Sequence, residues 1–123
     1  MKQQVLSVEQ MQHLQELGVD TSKASCYWWY AEGKNYLYWG KCSDANGIPT
    51  FNLQDMLEMM PKYVLIDGYK YFLYILPLSN WVVKYDNLNR STPFQFVNVN
   101  LICATYKCLC WLAENGYLKG GKK

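Results

Sequence analysis

The chain has 123 residues, of which 11 Tyr, 5 Trp and 4 Phe make 16% aromatic, and twelve Lys and Arg stand against ten Asp and Glu. With half of the residues hydrophobic and 18% charged, the composition excludes intrinsic disorder, collagen-like repeats and a polybasic nucleic-acid tail protein. The length predicts one domain, 1 to 118, able to bury a core without staples, followed by a flexible Lys/Gly tail at 119 to 123, where two glycines separate lysines.

Along the chain, Ser7 and Gln10 form a capping box with Leu6 and Met11 placed to staple across it, so a first helix is expected from about Ser7 to Leu17, before Gly18. The aromatic run Ala24 to Ala31 and the run Tyr36 to Lys41 read as a hairpin whose turn centres on Gly33 and Lys34. The loop CSDANGIPT then leads to a short second helix, capped by Asn52, stapled by Phe51 and Met56, and ended by Pro61. Tyr63 to Ile66 and Tyr69 to Leu76 flank Asp67-Gly68, a strong two-residue hairpin signal. Trp81 to Tyr85 alternates as a fifth strand, NLNRSTP is a long polar loop, and a last helix begins near Asn98 or Asn100 and stops at Gly116. That helix puts Leu101, Thr105, Cys108, Leu109 and Leu112 on one stripe. The expected fold is α+β: an antiparallel sheet of about five strands with helices packed on it, in the order α-β-β-α-β-β-β-α.

No stretch reaches the roughly 20 apolar residues of a membrane span, and the N-terminus MKQQVLSVEQ lacks the apolar centre of a signal peptide. A cytoplasmic protein without membrane partners is therefore expected. Five cysteines, Cys26, Cys42, Cys103, Cys108 and Cys110, fit reduced thiols better than a disulfide framework. The net charge of +2 belongs to the tail: three of the twelve bases, Lys119, Lys122 and Lys123, lie there, leaving nine against ten acids in residues 1 to 118.

The segments ELGVDTSKAS (16 to 25), TFNLQDMLEMMPK (50 to 62) and WLAENGYLKGGKK (111 to 123) resemble a family of short uncharacterised proteins encoded by prophages and mobile elements of gut anaerobic bacteria. The resemblance spans most of the chain. It implies a genomic setting and carries over no catalytic residue.

Chemistry-bearing sets are sparse. Cys108 and Cys110 are two apart on a helix, about 200° around its axis, and cannot share a metal. With His13 the single histidine, no Cys2His2 zinc set exists. His13 is expected on the solvated side of the first helix, and Asp55, three before Glu58, stands where a helix N-terminus wants a carboxylate, ahead of an acid/base role. Phosphate-loop, nucleophile-elbow and zincin motifs are missing. No catalytic residue, cofactor or metal site is expected.

The aromatic hairpin is the informative feature. With its turn at Gly33-Lys34, Trp28 opposes Trp39 and Trp29 opposes Tyr38, so Cys26, Trp28, Leu37 and Trp39 are expected in the core and Tyr27, Trp29, Tyr36 and Tyr38 outward. Around Asp67-Gly68, Val64, Ile66, Tyr69, Tyr71, Leu73 and Ile75 share one face, and Lys70, Phe72 and Tyr74 share the wet one. Tyr27, Trp29, Tyr36, Tyr38, Phe72 and Tyr74 on one sheet surface exceed the apolar patch that monomers leave open. Three covers fit: the chain's own loops at 42 to 50 or NLNRSTP, a homodimer or protein partner, or stacked bases of single-stranded nucleic acid. The near-neutral body favours packing, so protein association is the expected function and single-stranded nucleic-acid binding the alternative.

Overall fold

A computed structural model describes residues 4–40, 47–89 and 94–118. Its elements are α1 (Val8–Glu16), β1 (Cys26–Ala31), β2 (Lys34–Trp39), β3 (Gly47–Thr50), α2 (Leu53–Met59), β4 (Tyr63–Ile66), β5 (Tyr69–Pro77), β6 (Trp81–Asp86), β7 (Phe94–Asn98) and α3 (Leu101–Glu114). The α+β class and the antiparallel pairing are as expected, but the strands form two sheets, ordered β2-β1-β3 and β4-β5-β6-β7. Two strands escaped the sequence reading. Both are edge strands: β3 is short and contains Pro49, and β7 follows directly on the polar run.

The helix ends follow their local chemistry. Ser7 Oγ accepts the Gln10 amide at 3.1 Å while the Gln10 side chain accepts the Ser7 amide at 2.9 Å, and Leu6 and Met11 are fully buried beside this box. Asn52 and Asp55 form a second box, and Phe51 and Met56 are both fully buried next to it. Asn100 opens α3 by accepting the Ile102 amide at 3.0 Å. At the other end Gly116 takes φ +76°, and the amides of Gly116 and Tyr117 return to the carbonyls of Ala113 and Leu112. This pairing satisfies carbonyls that the last turn leaves open, and a side chain at Gly116 would strain it.

One buried cluster joins the elements, from Leu6, Met11 and Leu14 through Phe51, Met56, Val83 and Tyr85 to Cys108, Leu109 and Leu112. Helix α3 packs on β6 and β7, α2 packs against α3, and α1 meets β3. The stripe expected on α3 is buried except at its first residue: Thr105, Cys108, Leu109 and Leu112 are covered while Leu101 is half-buried. In the second sheet the parity around Asp67-Gly68 holds, with Ile66 opposite Tyr69 and Val64 opposite Tyr71. Trp111 carries much of the helix–sheet contact, its ring lying 4.7 Å from Phe94, 5.4 Å from Tyr117, 6.1 Å from Tyr85 and 6.3 Å from Phe96. Tyr85 is fully buried and donates its hydroxyl to the Pro61 carbonyl at 2.7 Å.

The first hairpin is set two residues differently from the expected register. Its turn is Glu32-Gly33, both with positive φ (53° and 76°), and Cys26 opposes Trp39, Tyr27 opposes Tyr38, Trp28 opposes Leu37 and Trp29 opposes Tyr36. Two consecutive left-handed residues make a type I′ turn, whose twist matches the flanking strands. A shift of two preserves which residues share a face. It changes only how far along each one sits.

Candidate functional site

The inner face of the first sheet is fixed by hydrogen bonds to the segment ahead of α1. Trp28 Nε1 and Thr50 Oγ1 both donate to the Leu6 carbonyl, at 2.9 and 2.7 Å. Cys26 and Thr50, paired across β1 and β3, are buried there. Asp55 ties the same sheet to α2. Its carboxylate accepts the Ser25 amide at 2.9 Å, the Ser25 hydroxyl at 2.6 Å and the Asn52 amide at 3.1 Å. The aromatic hairpin is therefore held by bonded anchors on its inner side.

The expected core position of Trp39 is overturned: it is 65% exposed, although it shares a face with buried Cys26. Helix α1 meets β3, the far strand of this sheet, so a side chain on β2 reaches solvent even when it points to the inner side. Leu37 and Trp28 are half-buried on that face.

On the opposite face Tyr27, Trp29, Tyr36 and Tyr38 lie together as expected, Tyr36 and Tyr38 exposed and Tyr27 and Trp29 half-buried. Tyr27 and Tyr38 stack at 5.5 Å with their planes 20° apart. Phe72 and Tyr74 do not join them, because β5 belongs to the other sheet. There Phe72 is exposed against Tyr63 at 5.9 Å, Lys70 lies 4.8 Å over the Tyr63 ring, and half-buried Tyr74 pairs across from Lys84, which bridges to Asp86 at 3.1 Å. The six expected site residues thus form two patches, one purely aromatic and one mixed with charges.

The loops expected as cover divide in the same way. Residues 47–50 lie in the plane of the sheet as β3, alongside the aromatic face rather than over it. Residues 41–46 of the preceding loop and 90–93 of NLNRSTP fall outside the described residues, as do Cys42 and the tail at 119–123.

Two further aromatics of this sheet, Trp39 and Tyr30, are exposed on its inner-face side. The turn residues could have set the register, but not the exposure of Trp39, which follows from strand order. Gly33 suits the second left-handed position of a type I′ turn, which leaves Glu32 to take the first.

The remaining chemistry-bearing residues are occupied structurally. Glu58 is exposed and accepts from Gln54 at 2.9 Å, and the groove of about 410 Å³ between Asp20, Lys23, Phe51 and Asp55 presents a carboxylate already spent on Ser25 and Asn52. His13 is exposed on α1, 3.8 Å from Glu16. Among the described residues no group of three metal-ligating side chains comes together, and no helix is long and apolar enough to cross a membrane.

Burial raises the thiols of Cys26 and Cys110 and pushes Cys108 up to about 12, so none is an activated thiolate near neutral pH. Tyr85 is raised in the same direction by its burial. Because these groups hold their protons longer in the folded chain, the unfolded chain loses protons first once pH passes the ordinary thiol value of 9.0. The contribution of Cys108 to stability should be constant up to about pH 9 and then fall toward pH 12, by up to about 1.4 kcal/mol per pH unit. Thermal unfolding across that range checks this, and Cys108→Ala should flatten the slope.

Comparison of the chain with protein-family models, with curated proteins and with solved structures gives no match.

Proposed function

We propose that this chain acts by protein association through the aromatic surface of the first sheet, in the service of a prophage or mobile element and without catalysis of its own. The observation that carries the reading is the exposure of Tyr36 (40%), Tyr38 (46%) and Trp39 (65%) on a strand whose backbone is fixed by its ladder to β1. Tyr and Trp bring large contact area with few torsions to freeze, and they anchor interfaces when set on a rigid support. The anchors to Leu6 and Asp55 provide that support.

Base stacking would use the same rings, but it also needs cations along the phosphate track, and β2 offers Lys34 alone. The double variant Tyr36→Ser/Tyr38→Ser tests the protein reading. It should lose about 1 kcal/mol of stability, from the Tyr27–Tyr38 stack, and weaken association at least about tenfold, by sedimentation for self-association or by affinity capture from source cells for another partner. A chain that is strictly monomeric at hundreds of micromolar and captures nothing, or a double variant that associates as well as the parent, overturns it. Tryptophan quenching by single-stranded oligonucleotides at low salt, absent at high salt, would favour the nucleic-acid reading instead.

A further inference from the structure

The outer edge of β2 is open among the described residues. Gly40 donates its amide to the Ser25 carbonyl at 2.6 Å, so residue 40 bonds toward β1. Alternation along an antiparallel ladder then turns Lys34, Tyr36 and Tyr38 toward β1, and the amides and carbonyls of Asn35, Leu37 and Trp39 outward. Among the described residues no strand pairs with that outer side. The strand lacks the usual protections of an edge: it has no proline, its ladder to β1 is unbroken over six residues, and its one charge, Lys34, sits at the end.

The other edge of the same sheet is closed. The same alternation turns Thr50 and Ile48 toward β1 and leaves Pro49 facing away, where its missing N–H blocks pairing. Beyond it Leu6 donates to the Phe51 carbonyl at 3.0 Å and Val5 bridges Asn52.

We infer that the occupant of the β2 edge is the β2 edge of a second copy, in an antiparallel register centred on Leu37. This rests on the association reading above and names its partner. The register follows from the pattern of outward groups. Leu37 opposes Leu37 of the second copy and Asn35 opposes Trp39, so all three outward residues of each copy enter hydrogen-bonded pairs.

In this register the faces also match. Tyr36 meets Tyr38 of the second copy on the aromatic side, and Lys34 opposes Gly40, so no like charges confront each other. The two sheets join with the aromatic faces continuous. Pairing at the edge buries the strand backbone and the flanks of Tyr36 and Tyr38 while their ring faces stay open, which places the contact at the small, weak end of specific interfaces. A reversible dimer in the micromolar range is expected.

Sedimentation of the full chain across that range, with three variants, tests the register. Leu37→Pro removes an outward amide and no bond to β1. It should keep a folded monomer by circular dichroism and raise the dimer dissociation constant at least about tenfold. Leu37→Cys should cross-link into a dimer on mild oxidation, above the background of the unsubstituted chain, since opposed residues of a bonded pair lie about 5.5 Å apart at Cα. Asn35→Cys should not, because its two copies lie about 13 Å apart along the strands.

A chain monomeric at hundreds of micromolar overturns the dimer, and so does a dimer indifferent to Leu37→Pro or cross-linked as well through Asn35→Cys. Should the chain stay monomeric yet capture another protein that Tyr36→Ser/Tyr38→Ser releases, the dimer fails while protein association stands.

Discussion

Asp55→Ala is expected to lower the stability of the chain by about 3–4 kcal/mol, more than any surface substitution, because one carboxylate serves two structures at once. It caps α2 through the Asn52 amide, and it receives both the amide and the hydroxyl of Ser25 at the entrance to β1. The residue is 7% exposed, so water replaces these bonds poorly once the side chain is gone. Asp55→Asn separates charge from connectivity. Its amide oxygen can keep the two backbone donors and its nitrogen can donate to the Ser25 hydroxyl, so a loss of only about 1–2 kcal/mol is expected. Urea unfolding of both variants checks the order. Equal losses would mean that the charge alone matters, and negligible losses would mean that the link between sheet and helix is idle.

The second large effect is expected at Trp111. Its ring contacts Phe94, Tyr117, Tyr85 and Phe96, which brings β6, β7 and the chain beyond α3 against one side chain. Trp111 is half-buried, so Trp111→Ala removes the contact shared by four rings and leaves a hollow that Tyr85, held by its bond to Pro61, cannot move to fill. A cost of about 3–5 kcal/mol follows, with a fall in the urea midpoint at unchanged slope. Trp111→Phe keeps most of the volume and should cost about 1–2 kcal/mol. The near-ultraviolet circular dichroism of the alanine variant should also drop more than its far-ultraviolet signal, because the packed rings lose their fixed surroundings before the helices melt.

These two residues show what periodicity and spacing can tell and what they miss. The capping boxes at Ser7 and Asn52, the Asp67-Gly68 turn and the buried side of α3 were legible because each is a local rule whose residues lie within a few positions of one another. The capping role of Asp55 was visible for the same reason. Its bond to Ser25, thirty residues away, was not, since nothing in either segment refers to the other. Trp111 likewise stands outside the stripe read on the last helix. Its importance comes from which strands the helix meets.

The aromatic surface was half legible. Parity sorted the hairpin faces correctly, because a register shift of two leaves them unchanged, and it set Tyr27, Trp29, Tyr36 and Tyr38 together. It failed for Trp39, where burial depends on whether a helix covers that strand, and strand order is a long-range property. Counting Phe72 and Tyr74 into the same patch failed for the same reason: local pairing says which strands form hairpins and nothing about which hairpins share a sheet. The edge strands β3 and β7 were missed because each is short and one is marked by a proline, the residue that argues against a strand interior and is tolerated at an edge.

Pro49 also decides how far any growth of this sheet can proceed. An open strand is a template, and a sheet with two open edges can add copies without limit, which is the geometry of fibres. Here one edge is closed by a ring that cannot donate and by the bond of Leu6 to Phe51. In the inferred dimer, pairing through β2 would use up the available edge in a single two-fold event, and the assembly would end at six strands. Pro49 guards the stretch of β3 that the Leu6 bond leaves open, and Pro49→Val should reveal this by letting the same aromatic chain pass from discrete particles to polymers.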